Sequence, residues 1–304
     1  MSQQIPTAYV KQFHGDVEMI VQQEGSVLSE CVRNESQNSE IQFYEQMGPT
    51  QATRFTDRHG DSPQVNSQHL RRAVTLESYD WGDFIDKVDK VQILIDPTNP
   101  YAQAAGWALG RERDLIILEG IYGSALTGKE GSTSVTFAAE VTPATTREVA
   151  VDFGGTAVGL TIAKLIEARR LLKRNKVMLK RESLYCALTS QQEADLLNTT
   201  EVTSADYNSV KALVRGDVDT FLNYTFVQTE LLADENAALF LSSTHQRVPV
   251  WVKSGVLQAT AIEIQTDVVR RWDKRGSWYV YAMGMSGAVR MQGHKVVSIL
   301  CDIP

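Results

Sequence analysis

The chain lacks most of the features that mark secreted, membrane-spanning and metal-dependent proteins. It has three cysteines, Cys31, Cys186 and Cys301, in 304 residues. The number is odd, the spacing is wide, and no Cys-x-x-Cys occurs, which argues against a disulfide framework or a cysteine zinc site and suits a reducing compartment. No apolar run reaches the roughly 18 residues that suggest a membrane helix. The opening Met1-Ser-Gln-Gln-Ile-Pro6 has neither the basic start nor the apolar stretch of a signal peptide. A surplus of basic charge is missing too. Lys and Arg total 30 against 37 Asp and Glu, a formal charge of -7, whereas proteins built to grip phosphates are usually basic. Together these point to a soluble protein made and kept inside a cell. The five histidines form no His-Glu-x-x-His and do not pair with cysteine at ligand spacing. No Gly-x-Ser-x-Gly elbow occurs. No cofactor and no metal site is expected.

Hydrophobic residues make up 43% and charged residues 22%, ordinary for a globular chain. The length allows one large domain or two modest ones. Residues 10–31 are loosely helical, with Val17, Ile20, Val21, Val27 and Leu28 as apolar positions, and suit an arm that packs on something else. Ile41, Phe43 and Met47 fall on alternate or nearly alternate positions, as a strand requires. A polar stretch from Gly48 to Leu70 follows, with the turn-forming Asp57-Arg-His-Gly-Asp-Ser-Pro63. Ala73-Val-Thr-Leu76 reads as a returning strand. The spacing predicts a long hairpin over 36–78. So few apolar residues cannot bury it, and two strands alone are marginal in water, so it must lie on the body or reach a partner.

A helix of about 20 residues is predicted near 100–122, with Asn99 as N-cap, Pro100 opening it and Gly106 and Gly110 weakening it. A second helix is predicted over 156–175, with Val158, Ile162, Leu165, Ala168 and Leu172 as its stripe and a basic end that reads as solvated. Leu184 to Leu188 reads as a buried strand, and Ser190-x-x-Glu193 as a capping box. Residues 256–304 are strand-rich, with Gly276, Gly287 and Gly293 marking turns. The fold class is α+β.

Two enzyme-like motifs fail on inspection. Gly123-Ser-Ala-Leu-Thr-Gly128-Lys129 matches half of a phosphate-binding loop. Glu130 stands where a metal-binding Ser or Thr is needed, and no helix start follows. The Asp-ending run Val91 to Asp96 precedes this loop, although the metal-binding strand of such hydrolases follows it. The run Val149 to Gly159 has glycines without dinucleotide-binding spacing and reads as a strand-to-helix turn. A nucleotide hydrolase remains the enzymatic alternative.

Read in order, arm, hairpin, long helix, mixed centre and final strands resemble the major capsid proteins of tailed phages, the HK97-type fold, podovirus-like plain shell proteins in particular. Ser183 to Leu197 is similar to the family's strand-then-helix element, and Ser204 to Glu230 to the stretch leading into its next strand. Thr266-Asp-Val-Val-Arg-Arg-Trp272, Ser286-Gly-Ala-Val-Arg290 and Val296-Val-Ser-Ile-Leu-Cys-Asp302 resemble its ending. The resemblance implies an N-terminal arm at 1–35, an extended loop at 36–78, a peripheral domain with a spine helix at 79–125, an axial domain at 126–260 and a second peripheral part at 261–304. It implies a structural protein, not an enzyme, forming hexamers and pentamers of an icosahedral head around double-stranded DNA. Scaffolding, portal and possible decoration proteins would be its partners, with DNA touched only weakly and non-specifically. Assembly would take place in the host cytoplasm. About 35 residues precede the hairpin, too few for a fused scaffold, so the scaffold is expected to be separate. Residues 36–78 contain no lysine, so the cross-linking through a loop lysine found in some members is not expected. Inter-subunit contacts are expected at Arg54, Asp57, Arg58, Asp61, Arg71 and Arg72, with Arg54, Arg58, Arg71 and Arg72 meeting Glu112 or Asp114 of a neighbour and the tip charges setting register. An encapsulin-like shell or another phage structural protein is the structural alternative.

Overall fold

The computed structural model describes residues 22–52, 54, 64–86, 98–140, 147–155, 158–198, 220–233, 239–240 and 245–303. In chain order the strands are β1 Arg33–Ser36, β2 Ile41–Met47, β3 His69–Thr75, β4 Glu77–Ile85, β5 Ala125–Thr127, β6 Thr133–Val135, β7 Glu148–Val149, β8 Leu184–Leu188, β9 Thr220–Phe221, β10 Tyr224–Gln228, β11 His245–Val252, β12 Val256–Arg271, β13 Ser277–Arg290 and β14 Val296–Asp302. The helices are α1 Thr98–Tyr122, α2 Ile162–Arg174 and α3 Ser190–Leu197. The chain divides into two compact units. One comprises Met1–Ser26, Ser78–Glu112 and Ile262–Met285, and the other Val27–Glu77, Arg113–Ala261 and Ser286–Pro304.

The larger unit is organised by a sheet in the order β7-β14-β11-β8-β10-β9. Its strands read as continuous apolar runs because both faces are covered. Alternate residues turn to opposite sides. Leu184, Cys186 and Leu188 of β8, Val248, Val250 and Val252 of β11, and Val297, Ile299 and Cys301 of β14 enter one core with Leu165, Ala168 and Leu172 of α2. Tyr185 and Ala187, Trp251 and Val296 enter the other, with Leu28, Val32, Ile117, Leu118, Ile121 and Phe137. Trp251 is fully buried, and its indole N–H donates to the Cys31 carbonyl at 3.0 Å. Since β14 pairs with β11 along its length, the last strand belongs to this sheet. Of the stretch 261–304, only Ile262–Met285 clusters with the smaller unit.

In the smaller unit β12 and β13 are adjacent and β4 flanks β13. Tyr79, Trp81, Ile264 and Ala282 pack on Ala105 and Leu109 of α1. Gly110 has a packing role, because a Cβ there would meet the Gly25 backbone at 2.5 Å.

Several local expectations shift. α2 begins at Ile162, six residues later than the pattern suggested, because Thr161 takes the N-cap and accepts from the Lys164 N–H. α3 is capped by Thr189 with Gln192, one residue before the expected Ser190 and Glu193. Gly287 lies inside β13 instead of at a turn. Thr75 O occupies the space its Cβ would need. Residues 22–28 form no regular element, and a 3-10 turn spans Ser29–Cys31. The segment is anchored by Asp114, which accepts from the Val27 and Leu28 N–H groups at 3.0 and 3.1 Å.

Glu182 joins two turns of the larger unit, binding Lys295 Nζ at 3.0 Å and the Ser254 hydroxyl. Partial burial pushes its carboxyl upward, but these bonds outweigh it and hold the pKa below the ordinary carboxylate range. A depressed folded pKa stabilises above the unfolded pKa and loses its effect as pH falls through the folded value. E182Q should therefore melt lower than the unaltered chain at pH 7, by less than about 1 kcal/mol for so solvated a pair. The gap should close as pH falls well below about 4. Thermal melts at both pH values check this, and a gap that widens in acid contradicts it.

Candidate assembly interface

Within the stretch 36–78 the structure describes two paired strands, β2 and β3, while residues 53 and 55–63 between them lie outside the described residues. β2 and β3 pair antiparallel through seven positions from Ile41↔Thr75 to Met47↔His69. The two faces of this hairpin differ. On one, Tyr44 packs against Val74, Ala125, Leu257, Ala259, Val289 and Met291, and Gln46 Nε2 donates to the Met291 carbonyl at 2.8 Å. On the other, Ile41 is 45% exposed, Phe43 38% and Met47 63%. Glu45 and Arg71 stand opposite each other on this face and pair at 2.7 Å.

The root is tied down by a buried charge cluster. Glu140 takes Arg72 on one carboxylate oxygen and Arg290 on the other, with Arg147 3.6 Å away. The Gly293 N–H donates to it at 3.1 Å. Arg290, fully buried, also donates to the carbonyls of Ile121 and Gly123 at 2.5 and 3.0 Å, and Arg147 stacks over Phe137 at 3.8 Å. Burial, reinforced by the nearby Arg290, pulls the Arg147 guanidinium down to about 10. Three cations around one carboxylate leave Glu140 indispensable. Removing one partner of a buried ion pair typically costs about 3–5 kcal/mol, because the remaining charge stays buried. E140Q should lower the stability of the larger unit by about that amount in urea unfolding. A loss under about 1 kcal/mol would mean that the cluster carries no such weight.

The expected contact residues divide. Arg54 and Glu112 are exposed. Arg71 is engaged within its own copy, by Glu45 across the hairpin and by the Lys129 carbonyl of the β5–β6 turn at 3.2 Å. Arg72 and Asp114 are corrections: both are buried. Arg72 serves Glu140, and Asp114 holds the backbone at Val27 and Leu28, so neither presents its charge to a neighbour. Asp57, Arg58 and Asp61 lie outside the described residues. Sequence reasoning missed Glu140 because a lone Glu in a Ser- and Thr-rich stretch carries no periodic signal. The exposed Ile41, Phe43 and Met47 were legible as a strand but not as an outward face.

The Gly123–Lys129 run does not form a phosphate cradle. It contains β5, which pairs antiparallel with β6, and Gly128 and Gly131 supply the left-handed turn positions between them, at φ 93° and 66°. The glycines Gly154 and Gly155, at φ 101° and 116°, lie in the turn between β7 and α2. Burial pushes the Cys31 thiol up to about 11 and the Cys301 thiol to about 12, far from the reactivity of an activated cysteine.

A rooted hairpin, a long helix and a doubly covered central sheet define a shell-forming fold of the HK97 type. Solved structures agree. The capsid of cyanophage P-SCSP1u superposes with a TM-score of 0.73 at 13% identity over 99% of this chain and 95% of that one. The acid-stable capsid of Helicobacter pylori bacteriophage KHP30 gives 0.71 at 10% identity over 99% and 98%. The capsid of cyanophage Pam1 gives 0.69 at 16% identity over 97% of each. No curated protein matches the chain. Residues 5–303 match the family described as phage capsid protein, and the chain belongs to that family. It is a phage capsid protein, and its place is the shell of the virion.

Proposed function

We propose that the chain assembles into hexamers and pentamers of an icosahedral head around double-stranded DNA, with the β2–β3 hairpin laid across a neighbouring copy. The observation that carries this reading is the hairpin's division of labour. One face is fastened to its own unit through Tyr44, Gln46 and Arg72, while the other leaves Ile41, Phe43 and Met47 in water. A second copy covering that face buries apolar area that neither copy buries alone. Arg54 and Arg58 then set register and partner choice more than affinity, with Glu112 as one acidic counterpart. In this reading 1–35 acts as the arm and 36–78 as the extended loop.

The chain is structural and catalyses nothing. It assembles in the host cytoplasm with a separate scaffolding protein and a portal, and a decoration protein is compatible with its exposed surface. A charge of -7 keeps its contact with packaged DNA weak and non-specific.

Substituting I41E and M47E together should abolish shells in negative-stain micrographs while the monomer's melting temperature stays within a few degrees. R54E with R58E should impair assembly in the same way. Normal shells from both variants would refute the hairpin's role. With no lysine in 36–78, mature particles boiled in detergent should run as a single monomer band. A ladder of covalent oligomers would refute that expectation.

A further inference from the structure

The β12–β13 hairpin of the smaller unit ends in Arg270-Arg-Trp-Asp-Lys-Arg275, four cations against one carboxylate in a chain of net charge -7. Trp272 is 74% exposed, the most exposed of the chain's large apolar side chains among the described residues. It is nevertheless held in place, since the Arg270 guanidinium lies over its ring at 4.2 Å and Arg270 Nε donates to the Gly276 carbonyl at 3.2 Å. The reversal behind it is tight, with Arg275 and Gly276 both left-handed at φ 54° and 76°. Asp273 is taken by Arg271 through two bonds of 2.9 Å. Lys274 and Arg275 are exposed, and their charge is left to face outward. A large indole pre-ordered in water among cations is built for contact, because little side-chain freedom remains to be lost on binding.

The same unit carries a surface of opposite character. β4 is the end strand of its sheet, so its outer edge has no strand partner among the described residues. Tyr79 and Trp81 point to the core. The alternate positions Asp80, Gly82 and Phe84 turn the other way. There Phe84 rests on Tyr279 at 4.5 Å, and Tyr279 stacks with Tyr281 at 5.8 Å. Gly82 has no side chain to interrupt this platform, and Tyr279 lies over the place where a Cβ would be. Asp80 lies on this face and is exposed, whereas Asp83 falls on the Tyr79 and Trp81 side; β4 carries no basic residue.

We propose that the basic, tryptophan-bearing tip of the β12–β13 hairpin seats on the acidic aromatic surface of β4 in a second copy of the chain. Trp272 stacks on the Phe84–Tyr279 platform, and Lys274 and Arg275 meet Asp80. Each copy offers one tip and one platform, so the contact is heterologous and repeats from copy to copy until it closes into a ring. A patch that pairs cations with an aromatic anchor could also suit nucleic acid. The second copy is favoured because the complementary surface, acidic and aromatic, is present on the same unit. This inference rests on the reading that the chain self-assembles, and adds a contact separate from the β2–β3 hairpin.

Charge exchange tests it on the full-length chain, expressed under conditions that yield shells from the unaltered protein. K274E with R275E, and separately D80K, should each lower the assembled fraction in sedimentation at least tenfold without changing the monomer's melting temperature. The neutral pair K274Q with R275Q should give an intermediate loss and guards against misfolding of the reversed tip. All three reversals combined should restore assembly to within about twofold of the unaltered chain. Unaltered yields from either reversed variant, or no rescue in the combined variant, would overturn the contact. Intact shells from K274E with R275E that retain less DNA would overturn it in favour of a nucleic-acid role. A failure of the unaltered chain to form any shell, alone or with a scaffold, would instead sink the reading of self-assembly.

Discussion

The buried carboxylate of Glu140 holds the larger unit's protruding hairpin to its body. Arg72 comes from the middle of β3, Arg290 from the end of β13, and Arg147 from the residue before β7. Each is a segment that sequence separation alone would leave free to move. A charge cluster of this kind contributes little net stability over an apolar core of equal volume, because its desolvation penalty is large. Its value is geometric. Guanidinium forks accept only a few orientations of their partner, so the cluster fixes the angle at which the hairpin leaves the unit. A protein that must present the same surface to many identical neighbours needs that angle to be constant more than it needs another kilocalorie.

The same logic explains how charge is spent along the chain. Inside, Glu140 with its arginines, Asp114 under the Val27–Leu28 backbone and Lys164 between the Val158 and Leu300 carbonyls position backbone. Outside, the hairpin face is apolar with a charged pair at Glu45 and Arg71, and the β12–β13 tip is cationic. Exposed pairs such as Glu45–Arg71 contribute a few tenths of a kilocalorie, too little to hold a fold but enough to bias which partner fits. Apolar area supplies the affinity of a shell contact, and surface charge chooses among contacts.

Much of this was legible in the residues, and the parts that were not share a cause. The hairpin strands, the long helix, the buried strand Leu184–Leu188 and the strand-rich ending follow from periods of 2 and 3.6, which local sequence carries directly. The cap of α3 slipped by one residue because Thr189-Ser190 offers two adjacent N-cap side chains, and the choice is made by Gln192, itself buried and bonded to Gln246. Gly287 was misread because a glycine in a strand signals close approach as often as a turn, and the approaching Thr75 carbonyl is 212 residues away. Arg72 and Asp114 were placed on the surface because charge normally lies there. Only tertiary structure could reveal the partners that allow their burial.

Trp272 is the counterpart of that error, an apolar side chain where burial would be expected and is not found. Single exposed hydrophobes need no explanation, but this one is clamped by Arg270 and sits at the end of strands long enough to project it. The platform of Phe84 and Tyr279, flanked by Arg271 of the same copy at 5.9 Å from the Tyr279 ring, likewise depends on Gly82, where a larger residue would displace Tyr279. Two such departures from ordinary burial on one unit, opposite in charge and matched in aromatic character, are costly if the chain acts alone. They are coherent if each completes the other in a neighbouring copy, and a shell of identical subunits supplies that neighbour.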